Sequence, residues 1–326
     1  MKSLFIVLLL FLGLPAPAAA APVEIQEWQV PWPNTRPRDP DVAPDGSIWL
    51  VGQAGHYVAR FNPQTEQFRR LELPNGAGPH NLIVDQDGTI WYAGNLQAHI
   101  GKLNPNDGSI HQIAMPDPAA RDPHTLVFYG SDLIWFTLQH SNMIGRLNKT
   151  TEQVDLITVP TERSRPYGIL VTPEGRPWVV LVGTNKLATI DPATLALQEI
   201  TLPRDQARPR RIAQTADGMI WYVDYAGGYL GCYNPGSGQF KEWLAPAGAM
   251  SRPYAMATDH QNRLWFVETG PSPNNLVGFD PTSESFFSVT PVPSGAGSVR
   301  HMVFDPQRKA FWFGTDTNFL AIARLP

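Results

Sequence analysis

Short apolar runs alternate with polar, turn-forming clusters along this chain, and they do so on a regular beat. Strings such as Ser47-Ile48-Trp49-Leu50, Thr89-Ile90-Trp91-Tyr92 and Met219-Ile220-Trp221-Tyr222 recur with a tryptophan at the same place. Seven such residues, Trp49, Trp91, Trp135, Trp178, Trp221, Trp265 and Trp312, stand 42, 44, 43, 43, 44 and 47 residues apart. A period of about 40 to 45 residues marks a propeller blade, a unit that buries its faces only against its neighbours. Within the fourth repeat the pattern predicts strands at 167–171, 177–181, 186–190 and 197–202. Gly, Pro, Asn and Asp bound these strands, as antiparallel hairpins require. Asn62, Asn104, Asn148, Asp191 and Asn234 each lie thirteen residues after a tryptophan and repeat the same turn.

The seventh repeat stops before its fourth strand. The segment from Glu24 to Pro31 resembles the fourth-strand segment from Gln239 to Pro246. Pairing the two chain ends would close the ring and protect its last edge. The expected fold is therefore an all-β, seven-bladed β-propeller of four-stranded antiparallel blades. Its N-terminal strand pairs with the last blade, and residues 21–326 form one domain.

Composition changes this picture at one end only. Lys2, an apolar run from Leu4 to Leu14 and Ala18-Ala19-Ala20 read as a secretory signal peptide over residues 1–20. A periplasmic or secreted protein with no stable membrane anchor after cleavage is expected. The net charge of −4 and the absence of a basic run argue against a nucleic-acid partner. The mature chain holds a single cysteine, Cys232, which suits a buried thiol in a strand. No glycine-rich strand–helix fingerprint suggests a nicotinamide or flavin. A small-molecule ligand and a monomer are expected.

The tryptophans also serve as a ruler. Eleven residues before them lie Arg38, His80, His124, Tyr167, Arg210, Tyr254 and His301. These positions begin the innermost strand of each blade and should circle one mouth of the central channel. All seven side chains can donate hydrogen bonds, so they either face a ligand or form a mutually paired polar rim. Three residues after the tryptophans, Asp224 and Glu268 should reach the same mouth. There they would orient a base, hold a metal, or pair with Arg210 or Arg300. Asp122 beside His80 and His124 offers a divalent-cation site or a general base. His56, His99, His111, His140 and His260 fall in strand ends or loops and are expected at the surface, with His99 and His140 also able to reach the mouth.

Arg165-Pro166-Tyr167-Gly168-Ile169, Leu133-Ile134-Trp135-Phe136-Thr137 and Asn142-Met143-Ile144-Gly145-Arg146-Leu147 resemble repeats of the streptogramin B (virginiamycin B) lyase family. The resemblance spans all seven repeats. It implies a seven-bladed propeller that opens a cyclic depsipeptide by elimination across an ester carbon–oxygen bond, with magnesium. Matched by motif, Gly78-Pro79-His80 supplies the substrate-contacting histidine. Asp122-Pro123-His124 then supplies a metal-binding acid and the catalytic base, and Gln139 stands where the family has a second metal-binding Glu. Matched by chain order, Tyr254 replaces the first histidine, His301 is the base and Asp316 the acid.

Three functions follow. In a lyase, His124 or His301 takes the proton and magnesium sits on Asp122 and Gln139, or alternatively on Asp316. His80, Arg38, Tyr167, Arg210, Tyr254 and Glu268 then face the substrate. A lactone hydrolase would hold its metal on Glu268, Asp224, Asn95 and Asp316. A non-catalytic binding module would use the arginines and tyrosines for an anionic or sugar-like ligand.

Overall fold

A computed structural model describes residues 23–326. The segment expected to be a signal peptide, 1–20, lies outside the described residues. The chain forms seven four-stranded antiparallel sheets arranged as the blades of a propeller. Six blades are contiguous in sequence: 37–72, 79–114, 123–158, 166–201, 209–244 and 253–291. The seventh joins Met302–Asp305, Ala310–Gly314 and Phe319–Arg324 to the N-terminal strand Glu24–Gln29. Glu24 pairs with Arg324 and Gln29 with Phe319, so the first strand completes the last blade. Trp28 stacks on Trp312 at 5.7 Å, and Glu27 accepts bonds from the Ser294 amide and hydroxyl. The edge of the strand Phe319–Arg324 is thereby paired.

The recurrent tryptophan lies in the second strand of each blade, and it packs across the blade interface. Trp49 and Val51 of the first blade share a cluster with Leu82, Ile90 and Tyr92 of the second. Seven such clusters form the core, which explains why no repeat is self-sufficient. The glycine of the third strand has a related cause. Gly145 pairs with Phe136, and a Cβ there would stand 2.1 Å from the Phe136 ring. Tyr222 covers Gly231 in the same way. Cys232 is buried beside these residues, and burial pushes its thiol up to about 12.

In six blades the innermost strand slips register within four residues of its opening proline. Such a bulge re-aims side chains. Here it frees the residues just after the proline to reach across the channel instead of lying along the sheet.

Candidate functional site

Five of the seven ring residues meet as one buried cluster at the expected mouth. The rings of His80 and His124 lie 3.5 Å apart, and those of His124 and Tyr167 4.1 Å apart. Tyr167 and Tyr254 exchange a hydrogen bond between their hydroxyls. Arg38 is buried with them and faces the charged groups beneath. Arg210 sits half-buried at the rim, its guanidinium 4.0 Å from the Tyr225 ring and 4.5 Å from that of Tyr254. His301 is half-buried and lines the channel below the ring, together with Arg211.

A second layer supports the first, at positions ten residues before the tryptophans. Asp39 is fully buried; its Oδ1 accepts from Arg38 Nε at 2.9 Å and its Oδ2 from Arg211 Nη2 at 3.5 Å. Asn81 Nδ2 donates to the same carboxylate at 3.3 Å. Arg211 also donates to the Arg300 carbonyl at 2.9 Å and to Thr125 Oγ1 at 3.3 Å. Thr125 in turn holds His124 Nδ1 at 2.8 Å. Sequence reasoning missed Asp39 and Arg211. The signal was present one step along the same ruler, where Asp39, Asn81, Thr125 and Arg211 stand among Gly168, Ala255 and Met302.

The electrostatics follow from this arrangement. Burial alone would raise the Asp39 carboxyl, but Arg38 and Arg211 outweigh it and hold the group well below the carboxylate range. Burial, reinforced by Arg38 and Arg211, drives His80 and His124 well below the usual imidazole value. Burial and Arg211 bring His301 down to about 4. All three histidines are therefore neutral near pH 7. Burial would raise the Tyr167 phenol, yet Arg38, Arg211 and Arg210 together bring it down. Tyr254 is pushed up, by burial first and then by Tyr167. Two buried guanidiniums thus share one carboxylate, and a third guanidinium, Arg210, stands above without a carboxylate partner among the described residues. His124 Nε2, His80 Nδ1, His301 Nδ1 and Arg210 Nε are buried without hydrogen-bond partners.

The acidic residues are placed differently from expectation. Glu268 is fully buried, accepting from the Ala247 amide at 2.7 Å and from Asn275 Nδ2 at 3.2 Å. It ties down a loop and does not face the mouth. Asp224 does the same for the amides of Arg208 and Ala226, and its ion pair is with Arg204, not Arg210 or Arg300. Arg300 pairs with Asp316. His99 is buried inside its blade, 3.3 Å from the Tyr92 hydroxyl, away from the surface and the mouth.

Nor do the residues proposed for magnesium fit the ion. Asp122 spends Oδ1 on the Ser141 amide (3.0 Å) and hydroxyl (2.6 Å), and Oδ2 on the His140 amide. Gln139 lies half-buried in the turn that these bonds close. The alternative, Asp316, is neutralised by Arg300. Among the described residues no group of three His, Cys, Asp or Glu gathers to hold a metal. The hydrolase set fares no better, since Asn95 donates to the Pro123 carbonyl and the three acids are engaged as above.

The family model described as the virginiamycin B lyase family matches residues 23–325. No curated protein matches the chain in sequence. A streptogramin B lyase structure is 22% identical with a TM-score of 0.84, covering 94% of this chain and 99% of that one. A catalytically inactive histidine-to-alanine variant of virginiamycin B lyase from Staphylococcus aureus, with quinupristin, gives 22% and 0.84, covering 93% and 100%. Hydrazine synthase from Kuenenia stuttgartiensis gives 13% and 0.75, covering 90% and 97%. At these identities the solved structures establish the propeller alone.

Proposed function

Because the chain belongs to the virginiamycin B lyase family, we propose that it is an exported member acting on an ester-bearing small molecule at the ring mouth, by elimination across a carbon–oxygen bond. One juxtaposition carries this reading. The neutral His124, with Nε2 free, stands in a cluster whose buried guanidiniums exceed its carboxylates. His124 Nε2 takes the proton from the carbon next to a carbonyl. Those electrons form the new carbon–carbon double bond as the neighbouring carbon–oxygen bond breaks, and the ester departs as a carboxylate. Arg38 and Arg211 favour the negative charge developing on the carbonyl oxygen, a preorganised electrostatic role. Thr125 holds His124 by Nδ1, which directs Nε2 toward the substrate. His80 stacks on His124 and positions the substrate, and Tyr167, Tyr254 and Arg210 form the wall through which it enters. His301 is the second neutral imidazole and serves the channel side of the cluster. The acids here do not fit magnesium, and the positive charge such an ion would supply is offered by Arg38 and Arg211.

Burial of His124, which is 1% exposed, favours a second reading: a binding module that takes an anionic small molecule without chemistry. Incubation of the exported protein with cyclic depsipeptides and lactones in labelled water separates the possibilities. Elimination predicts an unsaturated product of unchanged mass and a loss of at least about a hundredfold in rate for His124→Ala. Label in the product means hydrolysis. Saturable binding without turnover leaves the binding module. Unchanged turnover by His124→Ala refutes the assigned base.

A further inference from the structure

Beneath the ring, the channel opens into a cavity of about 340 Å³ whose apolar wall the proposed reaction does not use. Its volume falls within the range of small-molecule sites, about 300 to 1,000 Å³. The innermost strands build its wall from apolar side chains, among them Ile83, Leu126, Val127, Ile169, Met256 and Val303. Its polar groups are few and separated. Arg211, Thr125 and His301 stand next to the ring. Asp41 stands three residues further down the strand Pro37–Val42 than Arg38, and shares its position with a second cavity toward the opposite face.

We propose that this lower channel is a binding site for a monocarboxylate with a short apolar tail, the head at Arg211 and the tail toward the opposite mouth. Three observations converge on that ligand. The apolar wall selects a hydrocarbon rather than a sugar or a hydrated ion. Arg211 shares Asp39 with Arg38, so one positive charge in the buried cluster lacks a counter-ion. His301 keeps Nδ1 buried and unpartnered at the same end. Orientation follows from the two ends: the Asp41 carboxylate accepts the Val42 and Val84 amides lower in the channel and repels a second anion there. This site shares Arg211, Thr125 and His301 with the reaction proposed above, but its apolar wall takes no part in that reaction.

Titration calorimetry of the mature protein with octanoate, and with octanol as the uncharged comparator, tests it. Octanoate is expected to bind saturably and octanol at least about tenfold more weakly. Ile83→Trp and Val303→Trp fill the wall at half-buried positions away from the ring and should abolish octanoate binding with the fold intact by circular dichroism. Arg211→Met should weaken it at least about tenfold. Arg210→Ala, at the upper rim, should leave it unchanged. The assignment is overturned if octanoate does not bind, if octanol binds equally well, if the tryptophan variants bind as the parent does, or if Arg210→Ala removes the binding.

Discussion

Replacing Asp39 by Asn tests the organising charge of the site. The carboxylate is fully buried and receives Arg38 Nε at 2.9 Å, Asn81 Nδ2 at 3.3 Å and Arg211 Nη2 at 3.5 Å. The amide keeps the shape but removes the charge that offsets two guanidiniums. Removing one partner of a buried pair costs about 3 to 5 kcal/mol, because the other charge stays desolvated. One carbonyl acceptor survives in Asn, so about 3 kcal/mol is expected here. For a chain of this size that lowers the melting temperature by roughly 5 °C. Urea titration at pH 7 measures the free-energy change, with an unchanged slope showing that the unfolded state is not at issue. The pH dependence supplies a second check. A carboxyl whose folded pKa is depressed adds stability that is complete above its unfolded value, about 3.9, and is lost as pH falls toward the folded value. The gap between parent and variant should therefore stay constant from pH 7 down to roughly 4 and close only below it. Combining Asp39→Asn with Arg211→Met should cost less than the sum of the two changes, since both remove one interaction. A change below about 1 kcal/mol at pH 7, or strictly additive effects, would refute the account of a shared buried counter-ion.

Two further outcomes follow from other parts of the ring. Burial raises Asp41 to about 6 despite the amides of Val42 and Val84, so its penalty is absent below the ordinary Asp value, grows as pH rises toward 6 and is constant above it. Asp41→Asn should thus gain stability over the parent between pH 4 and 7, by about 1 to 2 kcal/mol after discounting for an open channel, and a flat difference in urea midpoints would count against it. Trp28 holds the closing strand through Trp312 at 5.7 Å and Phe61 at 4.9 Å. Because it is half-buried, Trp28→Ala should cost about 2 to 3 kcal/mol and speed proteolytic release of the N-terminal segment, and intact protection of that segment would contradict its role in closure.

The architecture was legible because its causes are local and repeated. Each blade places a tryptophan toward its neighbour at the same point of its second strand, and three blades add a glycine beneath an aromatic ring, Gly101 under Tyr92, Gly145 under Phe136 and Gly231 under Tyr222. The same ruler found Arg38, His80, His124, Tyr167 and Tyr254, since every innermost strand begins at the same mouth. It could not say what each side chain does there. Asp122 was marked as a metal-binding acid by its place before Pro123 and His124, yet the fold brings Ser141 and the His140 amide onto it, and unsatisfied backbone groups claim the carboxylate first. Glu268 and Asp224 were lost to the mouth for the same reason. The pairing of Asp39 with Arg211 joins residues 172 positions apart in the chain. Strand periodicity was written in the order of residues. The partners across the channel were chosen only when closure of the ring set seven innermost strands around one axis, where charges distant in sequence become each other's nearest compensation.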